Sequence, residues 1–180
     1  MKARLETATT LHRGRVFHLR AERHLLEDGR RLAIDAVRHP GAAAIVPLTS
    51  DRRVLLLRQF RCVINATIWE IPAGTLEPGE EPLAAARREL VEETGHAAAN
   101  WESLGAITPV PSYSDEVIHL YLAWDLRPAA GRLDPDEILE VQAVDWSEAL
   151  AMIARGEIRD AKTITGLLLA ERHSLIGEVF

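Results

Sequence analysis

The sequence predicts an α+β fold, on three observations. Segments that read as strands outnumber those that read as helices. The helical segments fall in the middle and at the C-terminal end, instead of alternating with strands one for one. With 180 residues, the chain has the length of one domain with at most a small appendage. That is enough to bury roughly 70% of its unfolded surface without disulfide staples.

Each element has its own local reason. Residues 15–20 and 22–26 read as strand, with an imperfect period. Glu27-Asp28-Gly29-Arg30 is a turn, since Asp-Gly suits the positive φ angles of a tight hairpin. Leu32, Ile34, Ala36 and Val37 suggest the returning strand, and Pro40-Gly41 breaks it. Residues 1–40 therefore read as a small antiparallel β unit with little apolar material of its own. Such a unit is expected to pack on something else, such as a second subunit. Residues 41–180 form the main domain.

In that domain Ala42–Leu48 reads as a buried strand. Asp51-Arg52-Arg53 turns the chain into a second strand, 54–60, so the two predict a hairpin. Residues 68–72 are a short strand end, and Ala73-Gly74 opens a loop. Residues 82–94 are good helix formers, with Pro82 suited to the first turn and Gly95 to the position past the last. Residues 101–107 and 117–126 read as strands on either side of a loop with two prolines, Pro109 and Pro111. Residues 139–146 are a last strand. Ser147 can cap a helix reaching Arg155, and Asp160 a helix running to about His173. No internal repeat or low-complexity linker interrupts the series.

Composition narrows the function. The chain is 47% hydrophobic and 27% charged, which excludes disordered and collagenous classes. Its net charge of −6 argues against nucleic acid or an anionic membrane as the main partner. The single cysteine, Cys62, cannot close an internal disulfide. The N-terminus lacks the apolar core of a signal peptide, and no 18-residue apolar run occurs, so a cytoplasmic location is expected. The seven histidines show no metal-ligand spacing.

The acidic excess is concentrated. Between Gly74 and His96 lie Glu77, Glu80, Glu81, Glu89, Glu92 and Glu93, opposed only by Arg87 and Arg88, so −4 of the −6 falls in this segment. On a helix, Glu89, Glu92 and Glu93 share one face at i, i+3 and i+4. Such a face can simply be solvated, but like charges this close destabilise the helix unless a cation joins them. All-oxygen carboxylate clusters suit Mg²⁺ or Mn²⁺, which also bind substrate phosphates. Arg88 can pair with Glu80 and so tie loop to helix.

From Gly74 the string runs five residues to Glu80, seven more to Arg88-Glu89-Leu90, one to Glu92-Glu93 and one to Gly95. This spacing resembles the signature of the Nudix hydrolases. The one departure is His96, where the family usually carries an aliphatic residue. The resemblance implies an α/β/α sandwich around a mixed sheet, with the motif as loop–helix–loop. It implies that Glu89 and Glu93, with Glu92 sharing the site and the Ala73 carbonyl completing it, hold a divalent metal. Gly74, Glu80, Arg88 and Gly95 are then structural members of the motif.

Over nearly its whole length the chain further resembles the ADP-ribose pyrophosphatase group, in Arg58-Gln59-Phe60-Arg61, Trp69-Glu70-Ile71-Pro72-Ala73-Gly74, Pro111, Ser114-Asp115-Glu116 and residues 136–141. That likeness implies hydrolysis of ADP-ribose to AMP and ribose 5-phosphate by a homodimer using Mg²⁺, with Mn²⁺ as a substitute. A nucleotide sugar such as GDP-mannose is the alternative substrate, and a non-catalytic Nudix-fold sensor the other class. Arg58 and Arg61 are candidates for forked bonds to phosphate, although their odd spacing on a strand points them apart. Glu70 can accept ribose hydroxyls or orient an arginine. Phe17 and Tyr113 are candidates to stack the adenine. A general base must take the proton of the attacking water. By resemblance Glu137 matches best, with Glu116 next and Glu140 third, and Glu92 is the candidate within the motif.

Overall fold

The computed structural model describes residues 2–131 and 138–173. The chain divides into two compact units, Met1–Gly41 with Thr108–Val117, and Ala42–Ile107 with Ile118–Phe180. The proline loop, expected to belong to the main domain, thus counts with the N-terminal unit. Backbone bonds explain this. The Val37 N–H donates to the Tyr113 carbonyl at 2.7 Å, and the Asp115 N–H to the Val37 carbonyl at 3.3 Å.

The N-terminal unit is a three-stranded antiparallel sheet of β1 (Ala3–Arg13), β2 (His18–Leu26) and β3 (Arg31–Arg38). Strand β1 is not legible in the sequence, because its mostly exposed residues show no apolar alternation. Residues 15–17, expected as strand, instead lie at a turn in which the Gly14 N–H donates to the Phe17 carbonyl at 2.9 Å. Among the described residues of this unit, Ala36 is the one buried apolar side chain. Its most buried polar group is Glu22, 1% exposed. Arg38 donates to Glu22 and, at 3.0 Å, to Asp115, while His24 Nε2 lies 3.0 Å from Glu22. The Arg38 bonds hold the Glu22 carboxyl below the usual carboxylate range.

The second unit holds β4 (Ala42–Pro47), β5 (Arg53–Arg61), β6 (Ala66–Glu70), β7 (Ala73–Thr75), α1 (Pro82–Thr94), β8 (His96–Ile107), β9 (Ile118–Pro128), β10 (Leu139–Asp145), α2 (Trp146–Ala154) and α3 (Ala161–Arg172). A mixed sheet has the order β7-β4-β9-β8, with β4 and β9 parallel and the other pairs antiparallel. An antiparallel sheet has the order β10-β5-β6. The expected β4–β5 hairpin is therefore split between sheets, with a bridge between Leu48 and Val54 at the turn. The predicted loop at Ala73-Gly74 is instead strand β7, paired with Ala43 and Ala44 of β4. The cap of α2 is Asp145, not Ser147, whose N–H donates to Asp145 at 2.9 Å.

Strand β4 is buried along its whole length because both faces of its sheet are covered. Ala43 and Ile45 pack with Ala85, Ala86 and Leu90 of α1. Ala44 and Val46 face the larger cluster, with Leu56 of β5, Leu120 and Leu122 of β9, Trp146 of α2 and Leu167 of α3. This is a helix–sheet–helix layering, and it fixes α1 on one side of β4 and β7. Among the described residues no helix is long and apolar enough to cross a membrane.

Leu120 is fully buried in the larger cluster. Leu120→Ala is expected to cost about 2–5 kcal/mol through lost burial and a residual cavity, read as a lowered urea midpoint at unchanged slope.

Candidate active site

Helix α1 begins at Pro82, whose fixed φ suits the first turn, and ends at Gly95, whose φ of 67° lies in the left-handed region. The Gly95 N–H donates to the Val91 carbonyl at 3.0 Å. Between these caps the 3.6-residue period buries Ala85, Ala86 and Leu90. The neighbouring stripe carries Glu89 and Glu93, only 8% and 3% exposed. Glu92 is more open, with a side chain 40% exposed.

Arg88 organises the acids. Its Nε and Nη2 each donate to a Glu80 oxygen at 3.0 Å, forming a fork. Its Nη1 donates to Glu89 at 2.6 Å and to Glu92 at 3.0 Å. Glu80 also accepts from the Glu77 N–H at 2.9 Å, which closes the loop before the helix. Bonding to Glu80, then to Glu89 and Glu92, raises the Arg88 pKa, and the Glu80 carboxyl is lowered chiefly by Arg88. Glu80 and Arg88 thus join loop to helix.

The remaining motif residues meet at β7. Glu93 accepts the Ala73 N–H at 2.8 Å. Gly74 lies so close to Glu89 that a Cβ there would stand 1.8 Å from its Oε1. A side chain at position 74 would occupy the space of the carboxylate, so the motif glycine is a spatial requirement. Among the described residues no three acidic, histidine or cysteine side chains already converge as a cation cage. The donor set nevertheless fits a hard divalent cation: it is all carboxylate oxygen, and the position beside Gly74 holds Glu89 against the backbone.

The other expected site residues separate by strand face. Arg61 makes a fork to Glu70 at 2.6 and 2.7 Å. Arg58, on the opposite face of β5, lies 4.8 Å above the Trp69 ring. Glu70 is 1% exposed and so is spent on Arg61 and Lys162 instead of being open to a sugar. Burial by itself would raise the Glu70 pKa. The bonds and charges of Arg61 and Lys162 outweigh it and hold the carboxyl below its ordinary value. The Arg61 pKa is raised by its Glu70 bonds, with smaller contributions from Glu93 and Asp160.

Phe17 and Tyr113, 42% and 53% exposed, belong to the N-terminal unit. So does Glu116, whose carboxylate lies 3.6 Å from His39 Nδ1. Glu140 is exposed on β10, opposite Arg58 in register. Glu137 lies outside the described residues. Sequence reasoning missed Lys162 and Thr163 and saw Asp160 only as a helix cap. The contacts of Lys162 and Thr163 with β6 and the residue after it span 92 positions, a distance over which local spacing carries no signal.

The NUDIX domain family matches residues 37–167. The chain belongs to the NUDIX family. It is 40% identical over 152 residues to the ADP-ribose pyrophosphatase of Bacillus subtilis, covering 83% of this chain and 82% of that one. It is 39% identical over 153 residues to the methanol dehydrogenase activator of Bacillus methanolicus, covering 84% and 83%. A solved ADP compounds hydrolase superposes with a TM-score of 0.84 at 23% identity over 99% of this chain and 96% of that one. That likeness shows the same fold. NUDIX hydrolases use divalent cations, in keeping with the oxygen donors of α1.

Two outcomes follow for this NUDIX site. Gly74→Ala should displace the Glu89 carboxylate and weaken divalent binding by about 10–100-fold, measured by Mn²⁺ titration with electron paramagnetic detection. Glu70 has a lowered folded pKa, so its stabilising contribution is complete above the ordinary value of 4.5 and is lost as pH falls through the lowered one. Glu70→Gln should therefore melt below the native protein at pH 7, with the gap closing as the pH is taken progressively below 4.5.

Proposed function

We propose that the chain hydrolyses the diphosphate bond of ADP-ribose, giving AMP and ribose 5-phosphate, with Mg²⁺ as the cation and Mn²⁺ as a substitute. The observation that carries this reading is the acidic face of α1, with Glu93 bonded to the Ala73 N–H and Glu89 packed on Gly74. The similarity to a Bacillus subtilis ADP-ribose pyrophosphatase supports the choice of substrate. Glu89, Glu93, Glu92 and the Ala73 carbonyl would hold the metal. A divalent cation supplies charge neutralisation at the diphosphate and lowers the pKa of a bound water.

The chain's own residues do the rest. Arg61, fixed by its fork to Glu70, presents its guanidinium as an anchor for the anionic substrate. The proton of the attacking water passes to a glutamate, with Glu137 the first candidate and Glu116 and Glu140 behind it. Water adds across one phosphorus–oxygen bond, and the two phosphates leave on separate products. Arg58, stacked on Trp69, is a structural arginine in this reading. Phe17 and Tyr113 are candidates to stack the adenine. The N-terminal unit, with Leu5, Leu11, Val16, Phe17 and Leu32 exposed, is proposed as the contact of a homodimer.

Purified protein with Mg²⁺ should release AMP from ADP-ribose, and with a higher kcat/KM than it acts on GDP-mannose. Preference for GDP-mannose would move the reading to that nucleotide sugar. Glu93→Gln should keep the fold and lower kcat by about two orders of magnitude or more, as loss of a metal ligand does. A variant with full activity would remove the acidic face from the mechanism.

A further inference from the structure

We propose that the first turn of α3 is a positioning bracket: Thr163 and Lys162 act through residues 70–73 to set Glu93 and Arg61. The proposal rests on the hydrolase reading above. The segment between β6 and β7 is pinned at every residue. The Glu70 carboxylate is held by Arg61 and Lys162. The Ile71 N–H donates to Thr163 Oγ1 at 2.9 Å. The Pro72 carbonyl accepts from the Ile45 N–H at 2.8 Å. The Ala73 N–H donates to Glu93 at 2.8 Å.

Only Pro72 separates the residue that Thr163 holds from the one that holds Glu93. Its locked φ leaves little freedom to absorb a shift. The Ile71 and Ala73 amides therefore move together, and the oxygen of a fully buried threonine sets both. Asp160 in turn aims the threonine. Its Oδ2 accepts from Thr163 Oγ1 at 2.6 Å, from the Thr163 N–H at 2.9 Å and from Lys162 Nζ at 3.1 Å. With its hydroxyl proton committed to Asp160, Thr163 can only accept from Ile71.

One turn further along α3, a Cβ on Gly166 would stand 3.0 Å from Ile71 Cδ1 and 3.2 Å from Val46 Cγ2. The helix sits directly on the segment, with no gap to take up displacement. A bond that merely tied helix to sheet would end at Ile71. Here Glu70, the residue before it, runs to the Arg61 guanidinium, and Ala73, two residues after it, to a carboxylate of the acidic face.

The test separates positioning from simple support. Mn²⁺ affinity of the free protein is measured by electron paramagnetic titration, and kcat and KM at saturating Mg²⁺, well below each variant's melting temperature. Thr163→Val keeps the shape and removes the acceptor. It should weaken Mn²⁺ binding and lower kcat by about 10–100-fold, the usual effect of losing a group that orients a ligand, with KM little changed. Thr163→Ser should restore both. A folded Thr163→Val with native Mn²⁺ affinity and kcat overturns the proposal. If that variant does not fold, Lys162→Met decides by the same readouts, with Lys162→Arg as its rescue; native values in Lys162→Met overturn the proposal. Weakened Mn²⁺ binding in a protein that turns over no ADP-ribose would sink the substrate reading and leave the bracket standing.

Discussion

Packing several carboxylates onto the C-terminal half of one helix is a cost the protein must offset before any ligand arrives. Arg88 does this. One guanidinium reaches Glu80 in the loop before α1 and both Glu89 and Glu92 on the helix. Its planar fork suits the task in a way a lysine's single ammonium would not. The same contacts that neutralise the acids also fix the loop against the helix, so one interaction sets both the charge balance and the shape of the site. Glu89 and Glu93 are oriented and nearly dry, a state in which a cation interacts with them more strongly than it would in water.

The remainder of the second unit explains why this helix can carry charge at all. The stripe next to the acids is committed to the sheet through Ala85, Ala86 and Leu90, all small or aliphatic and fully buried. Small side chains let α1 lie close to β4, and that brings Glu93 within bonding distance of the Ala73 N–H and Glu89 against Gly74. Electrostatic strain on one stripe is balanced by packing on the next. The net charge of −6 gains a different meaning from this arrangement. As a bulk figure it argues against anionic partners. Placed on the loop and helix between Gly74 and His96, most of it marks where a cation would bind and, beside that cation, an anionic diphosphate.

A good part of this was legible in the residues. The limits of α1 follow from Pro82 and Gly95, because both act through backbone geometry that needs no distant partner. The pairing of Arg88 with Glu80 follows from their loop-to-helix spacing. Strand β1 was not legible, since an exposed edge strand needs no apolar alternation and leaves no period to read. The division of β4 and β5 between two sheets was also hidden, because a turn sequence constrains the chain's direction and not its hydrogen-bonding neighbours. Arg58 and Arg61 could be said to point apart, but which one would meet a carboxylate depended on where Glu70 lay across the sheet.

The sequence by itself determined the local chemistry: a helix with three carboxylates on one stripe, a glycine before it and an arginine within it, at a spacing that suits a hard cation. Those features act over a few residues, where covalent geometry alone sets distances. Only the tertiary structure decided that Glu70 is buried between Arg61 and Lys162, and that Thr163 holds the Ile71 amide two residues from Ala73. The Lys162 and Thr163 contacts join residues 92 positions apart. They exist because α3 packs on the same face of the sheet as Ile71, and a hydrogen bond forms only where packing has already brought its two ends together.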